Sequence, residues 1–484
     1  MLMTPITQYA PESGELVEFQ VSASALAAAA AAPVHPAPPS YVQENHIRRR
    51  LANQAAGRSQ SPWLGVVFDV PGRLDTAAMA AALEKWIRRH PTFLTWFTVD
   101  EGAGMLRRHA LPADELSLEP VALAGQASSL AIRERLMQRF DTGTDPLRWP
   151  PFVAGAVVRN GESRQSSVYF AVDHAHTDGF STLLVFSELR ALYEAELAGT
   201  EAELPEVGSY VDFCALDREQ AARIDAQAPE VGRWLQFFLD GPPPSFPLDL
   251  GTEPGGTYDS RSIGMDLLSA READAFSAAC KGHGAGFSAG LLAAVAISGY
   301  ELGGHPSYRG LSVVHTRDEP RWQQTQGWFV NLVPIEFPVA DGQAGFGRFG
   351  EVVGRAQQAF VAAHGLAGVS PLRVAELLPG LPVQSDATAV LPMVSYMDLR
   401  HAPGSRDWAA ANCNALVGPG SSGEVPIWVN RLWDRTYLKT RYPDTEVAQA
   451  NVPRFFDHLG HVLREVARTG EYRIGAPLPT PETA

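Results

Sequence analysis

The amino-acid sequence predicts a mixed α/β protein built from two halves. The chain has 484 residues, 45% of them hydrophobic, and this is more than one ordinary core accommodates. Runs with strand periodicity and runs with helix periodicity occur in both halves, without the regular strand–helix alternation of a parallel sheet. A stretch rich in proline and acidic residues over 221–257 separates the halves and is predicted to be a linker.

The first half is predicted to begin with an irregular arm over residues 1–39, because this stretch ends in the proline-rich "AAPVHPAPPS". A subdomain over residues 40–220 is expected to follow. It should start with a helix in "YVQENHIRRRL" and a strand in "PWLGVVFDVPG", which ends in a Pro-Gly turn. A further helix is predicted in "LDTAAMAAALEKWIRRHP", whose large apolar residues fall on one stripe and which Pro91 stops.

The second half is predicted to be a subdomain over residues 258–484. A helix is expected from about Ser288 to Leu302, and a last helix should bury Phe455, Phe456 and the apolar residues that follow them. Between these helices, strands are predicted in "GLSVVHT", "WFVNLVPIEF", "VLPMVSYMDL" and "VPIWVNRLW".

Composition argues against several classes of partner and location. The net charge of −15 disfavours general affinity for nucleic acid or for anionic membranes. The three cysteines are odd in number and far apart, so no disulfide framework or zinc knuckle is expected, which suits a reducing cytosol. No lysine or arginine precedes Arg48, and the alanine run 27–32 is too short for a bilayer. We therefore expect a cytoplasmic protein without a membrane span.

The densest group of titratable residues lies in "VYFAVDHAHTDGF", residues 168–180. Two histidines and two aspartates fall within six residues, where a predicted strand gives way to a predicted helix. One interpretation is structural, because Asp-Gly is a common turn and histidines often lie in such loops with their hydrogen bonds satisfied. A second is a metal site of His174, His176 and Asp178, since the metallo-β-lactamase-like hydrolases use His-x-His-x-Asp-His. That pattern requires a histidine where Gly179 stands.

A third interpretation is a histidine general base. His174 supplies an imidazole whose ordinary pKa lies near neutral pH, and Asp178 follows four residues later. Gly179 allows a tight turn and leaves room for a substrate. A fourth interpretation places a serine nucleophile at Ser288 in "GFSAG", but the elbow motif needs a strand before it, and "CKGHGA" reads as a loop. Ser288 is expected instead to be the N-cap of the helix after it.

The third interpretation gains from its surroundings. Five segments, taken in order, are "SYVQENHIRR" (40–49), "RRHPTFLTWF" (88–97), "DHAHTDG" (173–179), "SYVDFCA" (209–215) and "GWFVNLVPI" (327–335). In this order they resemble the motifs of the condensation-domain superfamily of acyltransferases that use CoA or carrier-protein thioesters. Within it, the chain resembles the actinobacterial polyketide-associated (Pap) acyltransferases, which esterify sugars such as trehalose. It departs from the family at three positions. Asp173 stands where the His-His-x-x-x-Asp-Gly core has its first histidine, and Pro91 and Leu94 stand where the motif similar to 88–97 has glutamate and arginine.

The resemblance implies two subdomains related to chloramphenicol acetyltransferase, set in a V, with the catalytic loop at their junction and a tunnel from each face. His174 is then the general base that takes a proton from a hydroxyl acceptor, a sugar or another natural product, as the acceptor attacks an acyl thioester. Asp178 is implied to pair with an arginine of the second half, for which Arg317 is the candidate. Trp328, Asn331 and Asn430 are candidates for binding substrate.

The resemblance also sets expectations about partners and leaves alternatives open. It implies no metal and no cofactor apart from the acyl-CoA or acyl carrier protein that acts as donor, and a monomer is expected. A free-standing enzyme that forms amides is one alternative. A condensation-like module that recruits partners without catalysis is another, although such modules usually lack the histidine that stands here at position 174.

Overall fold

Residues that are distant in sequence combine into two folded units. The structure, a computed structural model, describes residues 1–58, 61–100, 102, 104–159, 165–241, 245–253, 256, 258–340, 347–378 and 393–477. The first unit comprises Met1–Arg223, Arg317–Val330 and His401–Gly420, and the second comprises Ile224–Thr316, Asn331–Arg400 and Ser421–Ala484. Two segments that follow the predicted linker thus belong to the first unit, so no single boundary in the sequence separates the units.

The strands alternate irregularly with the helices along the chain. They are β1 (Leu2–Pro5), β2 (Gly14–Val21), β3 (Val34–His35), β4 (Trp63–Pro71), β5 (Thr95–Val99), β6 (Leu106–Ala110), β7 (Leu118–Ala127), β8 (Phe152–Val158), β9 (Gln165–Asp173), β10 (Ser260–Ser269), β11 (Ser307–His315), β12 (Val330–Pro338), β13 (Met393–Asp398), β14 (Asn414–Val417), β15 (Ile427–Arg431) and β16 (Arg435–Pro443). The predicted strands of the second half correspond to β11, β12, β13 and β15, with residues 390–392 of one of them outside the described residues.

The α-helices include each helix that the apolar stripes predict. They are α1 (Ala23–Ala31), α2 (Tyr41–Ala55), α3 (Thr76–Arg89), α4 (Ser129–Gly143), α5 (Gly179–Ala198), α6 (Tyr210–Ala222), α7 (Pro229–Leu239), α8 (Ala270–Gly282), α9 (Phe287–Gly303), α10 (Phe349–His364), α11 (Pro371–Leu377) and α12 (Glu446–Thr469). Together with the strands they give the mixed α/β class that the sequence predicts.

The first unit is organised around β9, which lies inside a sheet of order β1-β14-β4-β9-β8-β2-β7. β9 is antiparallel to both of its neighbours, β4 and β8. Its successive side chains enter opposite layers: Phe170 packs against Trp86 of α3, and Tyr169 against Phe140 of α4. Because helices cover both faces, β9 reads as a continuous apolar run, and the end of this run at Asp173 is held in place by both neighbouring strands.

The second unit contains a sheet of order β10-β16-β15-β13-β11-β12. β16 is antiparallel to β10 and β15, whereas β13 is parallel to β11 and β15. One face of this sheet is packed by α9 and α12, with Leu438 and Val429 meeting Phe455 and Leu459 in the core. The last predicted helix is therefore confirmed, and its apolar stripe covers a sheet.

The expectation of an irregular arm over residues 1–39 is wrong. β2 pairs with both β7 and β8 in the first unit's sheet, and its Leu16 and Phe19 are buried. The prolines that suggested an arm begin only at Pro33, whereas Gly14–Val21 alternates apolar and polar residues well enough to form a strand.

The expectation of a structureless linker over 221–257 is also wrong in part. This stretch contains α7, whose Val231, Trp234 and Phe237 are buried against Leu311 and Val374. These three residues recur every three positions, the spacing of one helix face, and Pro229 is acceptable in the first turn. Residues 242–244, 254, 255 and 257 of the predicted linker lie outside the described residues.

In the part of the chain that the structure describes, no individual helix combines the length and the apolar character needed to cross a bilayer. The pair α8 and α9 reaches that length and composition only when both are counted together across a 93° bend.

Gly155 on β8 tests how tightly the central sheet of the first unit is packed. A Cβ atom there would lie 2.2 Å from Tyr169 Oη and 2.6 Å from the carbonyl oxygen of Val17. Tyr169 is buried, and the carbonyl oxygen of Val17 belongs to the backbone of the neighbouring strand, so neither atom can move freely. We expect Gly155→Ala to lower the free energy of unfolding by about 1–3 kcal/mol, measured by chemical denaturation.

Gly232 on α7 is the matched control. A Cβ atom at this helical position meets no heavy atom within 4 Å, so Gly232→Ala should raise stability by about 0.5–1 kcal/mol through helix propensity. Equal effects of the two substitutions would contradict the tight packing around Gly155 on β8.

Candidate active site

The corner between β9 and α5 is a strand–turn–helix connection, as the sequence predicts. β9 ends at Asp173, His174–His176 form one turn of 3₁₀ helix, and α5 begins at Gly179. Asp178 is the N-cap of α5, and its Oδ1 accepts a hydrogen bond from the backbone N–H of Ser181 at 2.6 Å. The corner is therefore fixed at one end by the sheet and at the other by a helix cap.

Asp173, at the family's first histidine position, is fully buried and bound to α2. Its Oδ1 lies 2.9 Å from Nε2 of His46, its Oδ2 accepts from Nη1 of Arg50 at 3.1 Å, and Oδ1 also accepts from Ala175 N–H at 2.8 Å. Burial by itself would raise the pKa of Asp173, but His46 and Arg50 outweigh it, so the pKa lies below its usual value. The aspartate is thus an ionised anchor that holds the turn against α2.

His174 follows directly and lies with its ring against Trp328. The two ring centroids are 4.0 Å apart, and the ring of His46 lies 6.0 Å from that of His174. The side chain is half-buried; Nδ1 is sealed from solvent and receives no hydrogen bond from a described residue, whereas Nε2 is not sealed. Packing on Trp328 therefore orients this imidazole, and Nε2 is the nitrogen available for chemistry.

Burial controls the protonation of His174. It lowers the pKa of this imidazole to about 4, and the neighbouring His46 adds to the effect. Asp173 and Asp178 act in the opposite direction without restoring the usual value. At neutral pH the ring is therefore neutral, and it can accept a proton.

Asp178 and Arg317 form a buried ion pair. Nη2 of Arg317 lies 3.3 Å from Oδ1 and 3.2 Å from Oδ2 of Asp178, and both residues are 3% exposed. The expected pair is present, and both partners belong to the first unit, since Arg317–Val330 is part of it. Arg317 was expected in the second half; its place in the chain lies beyond the linker, but its segment packs with the first unit.

The Asp178–Arg317 pair also holds the segment that carries Trp328. Asp178 Oδ2 accepts the backbone N–H of Phe329 at 2.9 Å, one residue beyond Trp328. Nη1 of Arg317 donates to the carbonyl oxygens of Trp322 and Thr325 at 2.7 and 2.6 Å. The charges of the pair are thus satisfied within the loop whose tryptophan packs on His174.

Three of the family-like segments meet at Tyr210. Its hydroxyl donates to the carbonyl oxygen of Trp328 at 2.9 Å and lies 3.1 Å from Oγ of Ser40. A Cβ atom at Gly327 would come within 2.3 Å of the Tyr210 ring, so only glycine permits this approach. Ser40, Tyr210 and Gly327, one residue from each of these motifs, therefore form one supporting layer for Trp328.

His176 and Gly179 have different surroundings from His174. His176 is fully buried; its Nδ1 lies 2.9 Å from the carbonyl oxygen of Thr92, and burial lowers its pKa to about 4. With His176 held by Thr92 and Asp178 by Arg317, these side chains are not arranged to share a metal ion with His174. Gly179 is exposed as the first residue of α5, with a backbone conformation that other residues also adopt.

Asn331 and Asn430 belong to the second unit. Nδ2 of Asn331 donates to the carbonyl oxygen of Ala367 at 2.9 Å, and Oδ1 accepts from Leu332 N–H, so this amide stabilises its own segment. Asn430 lies on β15 and is 2% exposed. The contacts of Asn331 are those of a structural residue, and a role for either residue in binding substrate stays a prediction.

The serine-nucleophile interpretation is wrong. Ser288 lies within the first turn of α9, whose N-cap is Gly286, and α8 precedes it where an elbow needs a strand. Ser288 is also not the N-cap that was expected.

His46, Arg50 and Gln43 are site residues that the motif search missed. They occupy one face of α2, and Nε2 of Gln43 donates to the carbonyl oxygen of Ala175 at 2.7 Å. Their spacing of three and four residues is the available signal, since it places polar side chains in one row of a helix that is otherwise buried on that side. These residues contact a turn that lies more than 120 residues away in the sequence. His46 and Asp173, for example, are 127 positions apart.

The chain matches known proteins over most of its length. Residues 39–373 match the condensation-domain family. Acyltransferase PapA3 of Mycobacterium tuberculosis is 31% identical over 474 residues, which cover 96% of this chain and 97% of PapA3. Trehalose-2-sulfate acyltransferase PapA2 of Mycobacterium bovis is 30% identical over 463 residues, covering 94% of each. A solved structure of PapA2 acyl transferase superposes with a TM-score of 0.87 at 27% identity, covering 96% of this chain and 100% of that one.

The chain therefore belongs to the condensation-domain family. Within that family it is an acyltransferase, the activity that the names of these Pap relatives share. The expected resemblance to the Pap acyltransferases and the expected fold class are both confirmed by these comparisons.

Removal of Asp178 should be strongly destabilising. Asp178→Ala leaves the buried Arg317 without its counter-ion and removes the N-cap of α5, so we expect a loss of about 3–5 kcal/mol of unfolding free energy. Asp178→Asn, which keeps a cap oxygen, should lose less. Chemical denaturation monitored by circular dichroism measures both.

Glu219→Gln serves as the control for this prediction, because Glu219 forms an exposed ion pair with Arg223 on α6. Its effect should stay within about 0.5 kcal/mol. If Asp178→Ala were no more destabilising than Glu219→Gln, the structural role given to the buried pair would be incorrect.

Proposed function

We propose that this protein transfers an acyl group from a thioester of CoA or a carrier protein to a hydroxyl group of a sugar, with His174 as the general base. The observation that carries the proposal is the neutral, half-buried imidazole, held against Trp328 with Nε2 accessible. The sugar acceptor is supported by the name of the Mycobacterium bovis relative, a trehalose-2-sulfate acyltransferase. A derivative of trehalose is therefore the acceptor to test first.

In the proposed reaction, Nε2 of His174 takes the proton of the acceptor hydroxyl as its oxygen attacks the thioester carbonyl carbon. The tetrahedral intermediate then collapses, the carbon–sulfur bond breaks, and the thiolate takes the proton back from the imidazolium. Ester and free thiol are the products, and no acyl-enzyme forms. A positioned base of this kind contributes about 10²–10⁴-fold to the rate, equivalent to about 3–5 kcal/mol of barrier.

The lowered pKa of His174 suits the second half of this cycle. A neutral imidazole is present without prior deprotonation, although its basicity is weaker than that of an ordinary histidine. The imidazolium formed after proton transfer is correspondingly more acidic, so it protonates the leaving thiolate readily. The proton thus returns within a single turnover.

Asp178 acts in this proposal as a positioning residue. Its carboxylate is bound to Arg317 and to two backbone N–H groups, so it does not orient the imidazole as the aspartate of a Ser-His-Asp triad does. It positions His174 indirectly, through the N-terminus of α5 and through the loop that carries Trp328.

His174→Gln tests the base directly. With an acyl-CoA donor and trehalose 2-sulfate as acceptor, we expect kcat to fall by about 10²–10⁴-fold while the thermal unfolding temperature changes little. Thiol release followed with a disulfide reagent gives the rate, and mass spectrometry identifies the ester.

His364→Gln is the matched control, since His364 is an exposed histidine at the end of α10. Its rate should equal that of the wild type. Unchanged turnover in His174→Gln would exclude this residue as the base, and an amide formed from an amine acceptor in place of an ester would replace the proposed hydroxyl chemistry.

The pH dependence of kcat/KM follows from the protonation of His174. Because burial lowers its pKa to about 4, the neutral form persists as the pH falls through 6.5, and activity should be lost only as the pH approaches about 4. Trp328→Ala exposes the imidazole, so the acid limb should move up towards the ordinary value near 6.5. Circular dichroism at each pH confirms that the protein is folded. An acid limb near 6.5 in the wild type would contradict the assignment.

A further inference from the structure

One face of the second unit's sheet carries a lysine in unusual surroundings. Lys439 on β16 pairs with Gly264 on β10 and with Trp428 on β15. Because side chains alternate along a strand, Lys439 and Arg441 share one face, while Leu438 enters the apolar core on the other. The cationic face is therefore opposite to the one that α9 and α12 cover.

The Lys439 side chain is buried without a counter-ion. It is only 9% exposed, and no residue in the described ranges forms an ion pair or a hydrogen bond with its ammonium group. The nitrogen nevertheless remains open to solvent, since it is not among the sealed polar atoms. Burial lowers the pKa of this lysine. Because its stem is buried while its ammonium group reaches solvent without meeting a carboxylate of the described residues, Lys439 presents a positive charge to a ligand.

The neighbouring strand leaves room for this side chain. A Cβ atom at Gly264 would lie 3.1 Å from Cδ and 3.4 Å from Nζ of Lys439, so the glycine permits the lysine to lie across β10. The chain contains only three lysines. Lys85 pairs with Glu196, and Lys281 is exposed. Of the three, Lys439 is thus the lysine that is buried and meets no carboxylate among the described residues.

Other polar groups on this face are consistent with a bound anion. The carboxylate of Asp266 on β10 is already bound by Nη1 of Arg435, at 3.2 Å. Asn430 lies two residues from Trp428 on β15, on the same face as Lys439, and no residue that the structure describes hydrogen-bonds its buried amide. Cross-strand diagonal neighbours such as these lie about 7–8 Å apart, a span that a single oxyanion group with bound water covers.

We propose that Lys439, with Asn430 on the same sheet face, binds a sulfate or phosphate ester group of a substrate. A tetrahedral oxyanion supplies the negative charge and the acceptor oxygens that an ammonium and an amide require. The proposal rests on the acyl transfer proposed above. Two sources carry this chemistry: a sulfated sugar acceptor, and the phosphates of CoA or phosphopantetheine in the donor.

Kinetics of Lys439→Met distinguish the two sources. If the anion belongs to the acceptor, KM for trehalose 2-sulfate should rise about 10–100-fold relative to KM for trehalose. If it belongs to the donor, KM for acyl-CoA should rise by this factor relative to KM for the same acyl group on pantetheine, which lacks phosphate. In either case Lys439→Arg should restore most of the lost affinity, because it restores the charge. Lys281→Met, at an exposed lysine, should change neither ratio.

A second measurement needs no turnover, so it separates this proposal from the proposed reaction. The wild-type protein is treated with acetic anhydride in sodium chloride or in sodium sulfate at equal ionic strength, and acetylation of each lysine is followed by mass spectrometry. Sulfate at ten times its Kd should slow the acetylation of Lys439 about 10-fold, whereas Lys85 and Lys281 serve as internal controls.

The possible outcomes either support or overturn the proposal. A changed KM ratio in one arm, or sulfate protection of Lys439 alone, supports an anion site. Unchanged ratios in both arms together with unprotected Lys439 would overturn it. If Lys439→Met did not fold, the acetylation experiment on the wild type would decide, with lack of protection again counting against the site.

Discussion

The buried ion pair between Asp178 and Arg317 is the interaction on which the candidate active site depends. The same carboxylate caps α5, accepts the backbone N–H of Phe329 and neutralises a guanidinium that is itself bound to two carbonyl oxygens of its loop. It therefore links the helix after the catalytic turn to the loop that places Trp328 on His174. Since both charges are buried, neither can be removed alone without leaving the other uncompensated.

Burial keeps His174 neutral, and the two neighbouring carboxylates do not reverse it. Asp173 is bound to His46 and Arg50, and Asp178 is bound to Arg317, so both acids adjacent to the imidazole already have cations. The ring is oriented by packing, and burial outweighs the opposing effect that Asp173 and Asp178 have on its pKa. In the proposed reaction, the lowered pKa of His174 favours rapid return of the proton to the leaving thiolate over its retention on the imidazolium.

Arg317 and Lys439 are buried cations with opposite surroundings. Arg317 finds a carboxylate, a hydroxyl and two carbonyl oxygens within its own unit. Lys439 has no such partner among the described residues, although glycine at position 264 makes room for its side chain. The first arrangement is that of a structural element, whereas the second is complete only when a ligand supplies the anion. This contrast is the physical basis for assigning one residue to the fold and the other to substrate.

The sequence by itself determined the mixed α/β class, the last helix and the strand–turn–helix corner around His174, because these follow from local periodicity, capping and turn chemistry. Tertiary structure alone decided that β2 completes the central sheet, that α7 is packed within a proline-rich stretch, and that His46 and Arg50 hold Asp173. It also decided that Arg317 belongs to the same unit as Asp178, which it reaches across 139 positions of sequence. Contacts at such separations depend on how whole layers pack, and no local pattern of residues encodes which distant partner a buried charge will meet.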